Sequence, residues 1–295
     1  PYLERDASNR IIDFPDSATY ARHNPRGLSR ADWRRDNVNR FVERLYAEVH
    51  AAKPWVKVGI SPFGIWRPGN PPSVAGLDAY TELYADSRKW LRNGWVDYWT
   101  PQLYWATDRP QQRYDLLLRW WAEQNVHRRN LWPGNFTSRV GGAGPADWHA
   151  GELLEQIRLT RQDTAASGNV HFSARALVRN VEGLSDWLET ITYAEPALVP
   201  ASPWLDRTPP AAPTATLRAD MTYGGARLAL TPATGAAPWL WVVRARYGDE
   251  WRTEIVPGVR RQHHLAPLGV RAMPDEVVLN AVDRVGNASP SRTVR

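Results

Sequence analysis

The chain has 295 residues, of which 43% are hydrophobic and 23% charged, a composition that predicts a globular protein of about two domains. Its 37 Lys and Arg residues against 31 Asp and Glu give a net charge of +6 without any run of like charges, so we expect no nucleic-acid partner. The absence of cysteine excludes disulfides, thiolate zinc sites and cysteine nucleophiles.

Membrane and metal signals are also missing from the sequence. No stretch approaches the ~20 apolar residues of a membrane span, and no histidine or carboxylate pattern has metal-ligand spacing. We therefore predict no transmembrane segment, no metal and no cofactor. The opening residues PYLERDASNR contain neither an initiating Met nor a signal-peptide core, so we expect a chain that is processed or whose beginning is absent.

An amphipathic helix is the first clear element. Ser29 and Asp32 form an acidic variant of the capping box, and apolar residues then recur at helical spacing until Pro54 ends the pattern. A short buried strand over residues 55–60 follows, and a loop rich in Pro and Gly leads to a second helix, which Gly94 closes. The next strand is predicted over residues 96–104.

Strands and helices keep alternating through the next part of the chain. Asp108 and Pro110 open a third helix, followed by a strand over 130–135, a helix over 147–166, a strand over 169–175 and a last helix over 184–191. Such alternation predicts an α/β fold with a parallel sheet. A closed (β/α)8 barrel needs eight βα units in ~250 residues, and the four units found in about 200 residues predict half of a TIM-type barrel.

Polar and aromatic side chains gather where the strands end. In α/β folds the carboxyl ends of the strands carry the site. Sugar rings stack on Trp or Tyr, and their hydroxyls bind amides and charged donors. Although a chain with 16 Trp residues also uses Trp in its core, we favour a groove for Trp66 and Trp105. The predicted glycan-binding residues are Ser61, Trp66, Gln102, Tyr104, Trp105, Asn135 and Arg175.

Three phrases of the sequence carry a family resemblance. DWRRDNVNRFVERLYAEVHAAKPWVKVGISPFGIW, YTELYADSRKWLRNGWVDYWTPQLYW and HFSARAL resemble the glycosyl-hydrolase-like 10 family of bacterial envelope proteins. The resemblance implies a full TIM-type barrel that acts on glycans, peptidoglycan strands among them. It also implies an extracytoplasmic location, whether secreted, periplasmic or lipoprotein-anchored. The opening segment resembles the loop after the fourth barrel strand, so this chain is expected to hold the second half of the barrel.

Carboxylates are scarce at the predicted strand ends. Glycoside hydrolysis usually takes two carboxyl groups. Asp97 lies near the start of its strand, where we expect a structural role. Asp108 follows Trp105 and is a candidate for catalysis, although we favour a helix N-cap. Glu4 and Asp6, in the first loop, are weaker candidates, and the main catalytic carboxylates are expected upstream of this chain.

The composition changes near residue 200. Residues 200–212 form a Pro-rich linker between a partial barrel at 1–199 and short alternating strands at 213–295, which predict a β-sandwich. The phrase VVLNAVDRVGNAS resembles the closing strands of fibronectin type III-like modules. Such modules position a catalytic domain or contact a polymer, so no chemistry is assigned to this region.

Two classes of function follow from the sequence. The first is a glycan-acting hydrolase that cleaves O-glycosyl bonds of a polysaccharide or of peptidoglycan glycan strands, with part of its active site outside this chain. The alternative is a non-catalytic glycan-binding or scaffolding envelope protein that keeps the aromatic groove. The presence or absence of a carboxylate pair at the groove separates the two.

Overall fold

The computed structural model describes residues 4–142, 148–234 and 237–295. It divides into two compact units, the first ending at Leu188 and the second running from Glu189 to Arg295. The first unit combines parallel strands with helices, and the second contains only strands and loops after a short helical segment. Among the described helices, none combines the length and the apolar character needed to span a lipid bilayer.

In the described part of the first unit, five two-residue strands form the centre. They pair only in parallel: β1 with β2, β2 with β3, and β4 with β5. Single bridges from Phe63 to Gln102 and from Gln102 to Gly134 continue the same registers and connect the two groups of strands. The strands are β1 Gly59–Ile60, β2 Tyr98–Trp99, β3 Asn130–Leu131, β4 Gly134–Asn135 and β5 Val170–His171.

The strands are shorter than predicted because proline interrupts them side by side. The registers place Pro62, Pro101 and Pro133 next to one another across the first three strands. Proline has no N–H group, so each of these positions lacks a donor for the ladder. Pairing resumes one residue later, where the N–H groups of Gln102 and Gly134 donate to the carbonyls of Pro62 and Pro101.

Eight α-helices are described in the first unit. Ser29 caps the longest of them, and its side chain accepts a hydrogen bond from the backbone N–H of Asp32, which confirms the predicted cap. The helices are α1 Ser17–His23, α2 Arg30–Ala52, α3 Ala79–Glu82, α4 Ser87–Arg92, α5 Tyr114–Gln124, α6 Ala150–Gln162, α7 Ala174–Val178 and α8 Leu184–Trp187. Short 3-10 turns occupy Thr137–Arg139 and Val181–Gly183, and a π turn occupies Leu188–Thr192.

Two helix predictions are corrected by the structure. The predicted second helix is divided into α3 and α4, because Tyr84 between them adopts a left-handed φ of 53°. The third helix begins at Tyr114 rather than near residue 108, since hydrogen-bonded turns at Arg109 and Gln112 precede it. Asp108 is therefore not a helix cap, and it lies exposed in the loop. The predicted start of the following helix, at residue 147, lies outside the described residues.

The predicted strand over residues 169–175 is also too long. It ends at His171, and the backbone N–H of Ser173 donates to Ser138 Oγ at 2.8 Å instead of continuing the ladder. The chain then enters α7, so Arg175 lies in a helix and not at a strand end.

Large aromatic residues fill the space between the strands and the helices. Trp99 on β2 and Trp121 on α5 are fully buried, with ring centroids 5.3 Å apart. The indole N–H of Trp121 donates to the carbonyl of Gly64 at 2.8 Å, so the buried polar atom has a partner. This contact ties α5 to the loop after β1, which carries part of the site.

Asp97 connects the opposite end of the strands to α2. Its carboxylate is fully buried and accepts hydrogen bonds from Val58 N–H at 2.7 Å and Tyr46 Oη at 3.1 Å. His50 Nε2 lies 3.0 Å from the same carboxylate. Burial, with the nearby Asp97 charge, raises the pKa of Tyr46 to about 12. These contacts confirm the structural role predicted for Asp97.

An ion-pair cluster centred on the buried Arg34 and Asp16 fastens α2 to the segment before α1. Arg34 donates to both carboxylate oxygens of Asp16, at 2.7 and 2.9 Å, and to Asp13 at 2.7 Å. Arg30 also contacts Asp16. The hydrogen bond from Arg34 holds the pKa of the Asp16 carboxyl well below its usual range. Replacing Arg34 or Asp16 alone would leave the other buried charge unpaired, which strongly lowers the stability of the fold.

We predict that this cluster makes the stability of the first unit sensitive to acid. Because the folded-state pKa of Asp16 is depressed, its contribution is complete above the usual value of 3.8 and is lost as the pH falls below it. Urea unfolding from about pH 5 to about pH 3 should narrow the stability gap between the wild-type chain and Asp16→Asn. A gap that stays constant over this range would contradict the assignment.

Seven strands in two antiparallel sheets are described in the second unit. One sheet has the order β10-β7-β6 and the other β12-β11-β8-β9. Leu228, Trp241 and Leu279 are fully buried in one core that both sheets share. All seven strands lie within residues 213–295, where the sequence predicts short alternating strands. The strands are β6 Thr214–Ala219, β7 Ala226–Thr231, β8 Leu240–Tyr247, β9 Glu250–Pro257, β10 Gln262–Leu265, β11 Glu276–Val282 and β12 Arg292–Val294.

The first residues of the predicted linker, at 200–212, contact the strands of the second unit. Ser202 is fully buried, and its N–H donates to the carbonyl of Val285 at 2.8 Å. The side-chain amide of Asn287 donates to the carbonyl of Asp206 at 3.1 Å. The first residues of this segment therefore pack with the strands, while the assignment of domain limits at 199 and 213 stays a prediction.

Candidate functional site

The pleat of the parallel strands gathers one set of side chains on a single face. Side chains two residues apart along a strand point the same way. Trp99 and Leu103 are buried toward the helices, so Gln102 and Tyr104 lie on the opposite side. We call this side the open face, because its side chains are partly or fully exposed. Its members are Ser61, Phe63, Tyr98, Gln102, Tyr104, Trp132, Phe136 and Phe172.

Three aromatic rings meet at one end of the open face. The ring of Tyr104 lies 4.9 Å from that of Phe136 and 5.7 Å from that of Phe172, measured between centroids. Gly134 leaves room for the Tyr104 ring in this cluster, since a Cβ at position 134 would stand 3.3 Å from that ring. Burial raises the pKa of the Tyr104 hydroxyl, so it stays protonated and able to donate a hydrogen bond.

A second aromatic contact lies at the β1 side of the open face. Trp105 meets Phe63 edge to face, with centroids 5.6 Å apart and planes at 89°. Gly64 lies beneath this indole, and a Cβ at that position would stand 2.9 Å from the Trp105 ring. Trp105 is half-buried rather than enclosed, so part of the ring remains accessible. The loops after β1 and β2 thus form one aromatic wall.

Gln102 is the polar group between the two aromatic contacts. Its amide nitrogen donates to the carbonyl of Ser61 at 3.1 Å, which fixes the orientation of the side chain. No hydrogen bond to its amide oxygen is found among the described residues. An oriented amide beside aromatic rings is the combination that sugar hydroxyls and C–H faces require. Ser61, Gln102 and Tyr104 therefore lie on the open face, and Trp105 borders it through its ring contact with Phe63.

Asn135, by contrast, points away from the open face. It lies one residue past Gly134, and the pleat turns it toward the helices, where it is fully buried. Its amide nitrogen donates to Gln156 at 2.8 Å, and its amide oxygen accepts from Asn169 at 2.8 Å. With these partners Asn135 holds the strand end against α6.

Trp66 and Arg175 also lie apart from the open face. The indole of Trp66 stacks on that of Trp120, with centroids 6.0 Å apart and planes at 17°, and its N–H donates to Asp86 at 3.2 Å. Arg175 is exposed on α7. Of the seven predicted binding residues, these two and Asn135 are not assembled with the others.

The candidate carboxylates do not form a pair. Asp6 closes a turn by accepting from the backbone N–H groups of Arg10 and Ser8, and the first of these contacts lowers its pKa. Glu4 and Asp108 are exposed. No Asp or Glu occupies an open-face position in the described part of the first unit. Across the described ranges of the chain, no three His, Asp or Glu side chains are arranged to hold a metal ion. The catalytic assignment of Glu4, Asp6 and Asp108 stays a prediction.

Glu152 is a carboxylate near the site that the sequence analysis missed. It accepts from the N–H and the hydroxyl of Thr107 at 2.8 and 3.0 Å, and from Gln156 at 2.8 Å. Gln156 also donates to the carbonyl of Trp105 at 3.2 Å. Glu152 therefore positions the loop that carries Trp105. Its location in the first turn of a helix that follows a strand was the available signal, because such turns lie at the carboxyl ends of the strands.

Three phenylalanines of the open face were also missed. Phe63, Phe136 and Phe172 carry no polar atom, so a search for polar groups at strand ends passed over them. Alternation provides the signal, since Phe63 and Phe172 lie two residues from the exposed Ser61 and Val170, and Phe136 lies two residues from Gly134 on the same face. Phe172 is 52% exposed, which is unusual for a phenylalanine and marks an accessible apolar surface.

We predict opposite outcomes for two amide substitutions. Asn135→Ala should lower the free energy of unfolding by about 1–3 kcal/mol, because it leaves buried partners without a hydrogen bond. Gln102→Ala, on the open face, should change it by less than about 0.5 kcal/mol. Urea unfolding of both variants measures the difference, and equal losses would show that the two side chains share one environment.

Comparison with known proteins gives a family match that includes every member of the open face except Phe172. Residues 8–148 match the family model described as Glycosyl hydrolase-like 10, a range that includes β1 to β4. Glycosyl hydrolase YngK of Bacillus subtilis is 40% identical over 209 residues, which are 68% of this chain and 41% of that protein. Glycosyl hydrolase DigH of Escherichia coli is 34% identical over 168 residues, 53% of this chain and 38% of that protein.

The chain spans about two fifths of the length of these curated relatives. Among solved structures, an FN3 domain of human collagen XX is 27% identical, covers 33% of this chain and 98% of that chain, and has a TM-score of 0.24. The glycoside hydrolase domain of Endo-D from Streptococcus pneumoniae is 16% identical, covers 30% of this chain and 15% of that chain, and has a TM-score of 0.20. Superposition this weak supports no statement about either unit, whereas the sequence matches indicate a glycan-related, hydrolase-like function.

Proposed function

We propose that this chain is part of a member of the glycosyl hydrolase-like 10 family that hydrolyses O-glycosyl bonds in a glycan, with peptidoglycan glycan strands as the substrate. The observation that carries the proposal is the open face, where aromatic rings and an oriented amide follow the ends of parallel strands. All members of this face except Phe172 lie within residues 8–148, which match the family model. For a substrate of this kind we also propose an extracytoplasmic location, whether secreted, periplasmic or lipoprotein-anchored.

The open face suits a sugar chain on physical grounds. The rings of Phe63 and Trp105 on one side, and of Tyr104, Phe136 and Phe172 on the other, offer apolar surface to the C–H faces of pyranose rings. Gln102 lies between them and offers its amide oxygen to a hydroxyl. Repeated aromatic contacts with a polar group between them fit a polymer better than a single compact ligand.

The strand edges support a larger barrel. Among the described residues, β1 pairs only with β2 and β5 only with β4, so these two are the outer strands of the described sheets. Val170 on β5 is 38% exposed and Phe172 beyond it 52%, although both are apolar. Exposed apolar side chains at an outer strand are a surface that further strands and helices would cover. We therefore propose that these strands form half of a (β/α)8 barrel, completed by segments outside this chain.

The reacting carboxyl groups are proposed to lie on those completing segments. Hydrolysis of a glycosidic bond needs an acid and a base or nucleophile on either side of the bond. In this chain Glu152 is engaged with Thr107 and Gln156, and Asp108 lies three positions beyond Trp105 in the loop. This half of the barrel would then bind and orient the sugar, while the other half supplies the reaction.

A second candidate is a glycan-binding protein without catalysis. The absence of Asp and Glu from the open face of the described first unit favours this alternative. The aromatic surface alone is sufficient for binding. In either case, we propose that the second unit is a fibronectin type III-like module that positions the first, which its two antiparallel sheets on a shared core support.

The complete gene product, incubated with purified peptidoglycan glycan strands, tests the proposal. We expect new reducing ends and shortened strands, measured by reducing-sugar assay and mass spectrometry. Strands that are bound without cleavage would favour the non-catalytic candidate. A protein that neither binds nor cleaves them would overturn both.

Trp105→Ala, which removes the ring that borders the open face beside Phe63, tests this surface within the same protein. Loss of one stacking ring should weaken glycan binding about tenfold, with the fold preserved as judged by circular dichroism. Trp251→Ala is the matched control, because this Trp is 44% exposed in the second unit and lies outside the open face. Unchanged binding by the Trp105 variant, or equal weakening by the control, would contradict the role of the open face.

A further inference from the structure

A second recess in the first unit has a strongly positive lining. A cavity of about 430 Å³ lies beside α4 and the loop after β1. Its basic residues are Arg67, Arg88, Lys89 and Arg92, and its one acidic residue is Asp86. The cavity shares no residue with the open face. Four cations around one small space repel one another, so the occupant that stabilises them is an anion.

Aromatic rings hold two of these guanidinium groups in place. The guanidinium carbon of Arg88 lies 5.1 Å from the ring centre of Trp66, and that of Arg67 lies 4.7 Å from the ring centre of Tyr80. Trp66 is itself fixed by its stack on Trp120 and its hydrogen bond to Asp86. The arrangement keeps the two groups oriented before any ligand arrives, which reduces the entropy lost on binding. Trp66 thus packs against the Arg88 guanidinium, and its predicted role in binding a sugar stays a prediction.

The charges in the cavity are only partly compensated. Arg88 Nε and Arg92 Nη1 both donate to the same amide oxygen of Gln124, at 2.8 and 3.5 Å, and an amide carries no net charge to balance them. Lys89 is exposed, and no ion pair to it is found among the described residues.

Nearby carboxylates do not neutralise this excess of positive charge. Asp78 pairs with Arg67 at 3.3 Å, and outside the cavity Asp32 pairs with Arg35, whose guanidinium also packs on Tyr80. Asp86 offers one carboxylate, and one of its oxygens accepts from Trp66. Arg88, Lys89 and Arg92 together therefore face a single acid.

We propose that this cavity binds a phosphate group, either as the free ion or carried on an organic molecule. Planar guanidinium groups form paired hydrogen bonds with phosphate oxygens, and a flexible ammonium adds a point charge. A doubly charged oxyanion matches the excess of positive charge better than a single carboxylate does. The site does not depend on the glycan activity, because none of its residues belongs to the open face.

Titration calorimetry of the whole chain at low salt tests the site with three probes: inorganic phosphate, glycerol 3-phosphate and glycerol. We expect saturable binding of both phosphates and none of glycerol, with affinity that falls as salt is added. Tighter binding of glycerol 3-phosphate would identify a phosphate ester as the ligand, and equal binding would identify the phosphate group alone. Failure of both phosphates to bind, or binding of glycerol equal to theirs, would overturn the proposal.

A pair of charge-matched variants locates the binding. Lys89→Gln combined with Arg92→Gln removes two exposed cations of the cavity and should weaken phosphate binding at least about tenfold. Lys53→Gln combined with Arg119→Gln removes the same charge from exposed positions elsewhere, on the end of α2 and on α5, and should keep the wild-type affinity. Equal effects of the two pairs would show only a response to net charge and would overturn the site. Thermal melting of both confirms that the fold is kept.

Discussion

The two-residue alternation of the parallel strands is the constraint on which the rest of the site depends. It turns Trp99 and Leu103 into the core beneath the helices and leaves Gln102 and Tyr104 on the opposite face. The shared register then places Phe63 beside Gln102 and Gln102 beside Gly134. A shift of one residue in any strand would exchange the two faces, burying the polar groups and exposing the core.

A buried polar network on the helix side of the strands maintains this arrangement. Asn135 at the end of β4 is bonded to Gln156 on α6, and Gln156 continues to Glu152 and to the carbonyl of Trp105. Thr107 is held by the same Glu152. Such networks specify a unique geometry only when every member is satisfied. The aromatic wall formed by Trp105 therefore depends on residues that never reach the open face, and on a helix that begins some forty-five positions later along the chain.

Two kinds of surface result from these contacts. The open face is aromatic with one oriented amide and no carboxylate among its described members, which suits the binding of a neutral polymer. The cavity beside α4 is basic, and its aromatic rings are used to orient cations. Both contain Trp or Tyr at strand ends or in the loops after them, yet the neighbouring side chains give each surface a different chemistry.

The sequence by itself determined α2 and its cap at Ser29, the alternation of strands and helices, and the location of Ser61, Gln102, Tyr104 and Trp105 just beyond the strands, because spacing and capping are local. It overestimated the strand lengths, since Pro62, Pro101 and Pro133 interrupt the ladder together only once the register is known. Tertiary structure alone decided that Asn135 turns inward, that Trp66 stacks on Trp120, and that Glu152 reaches Thr107. Each of these depends on a partner far away in the chain, and the order of residues does not state which distant side chains will meet.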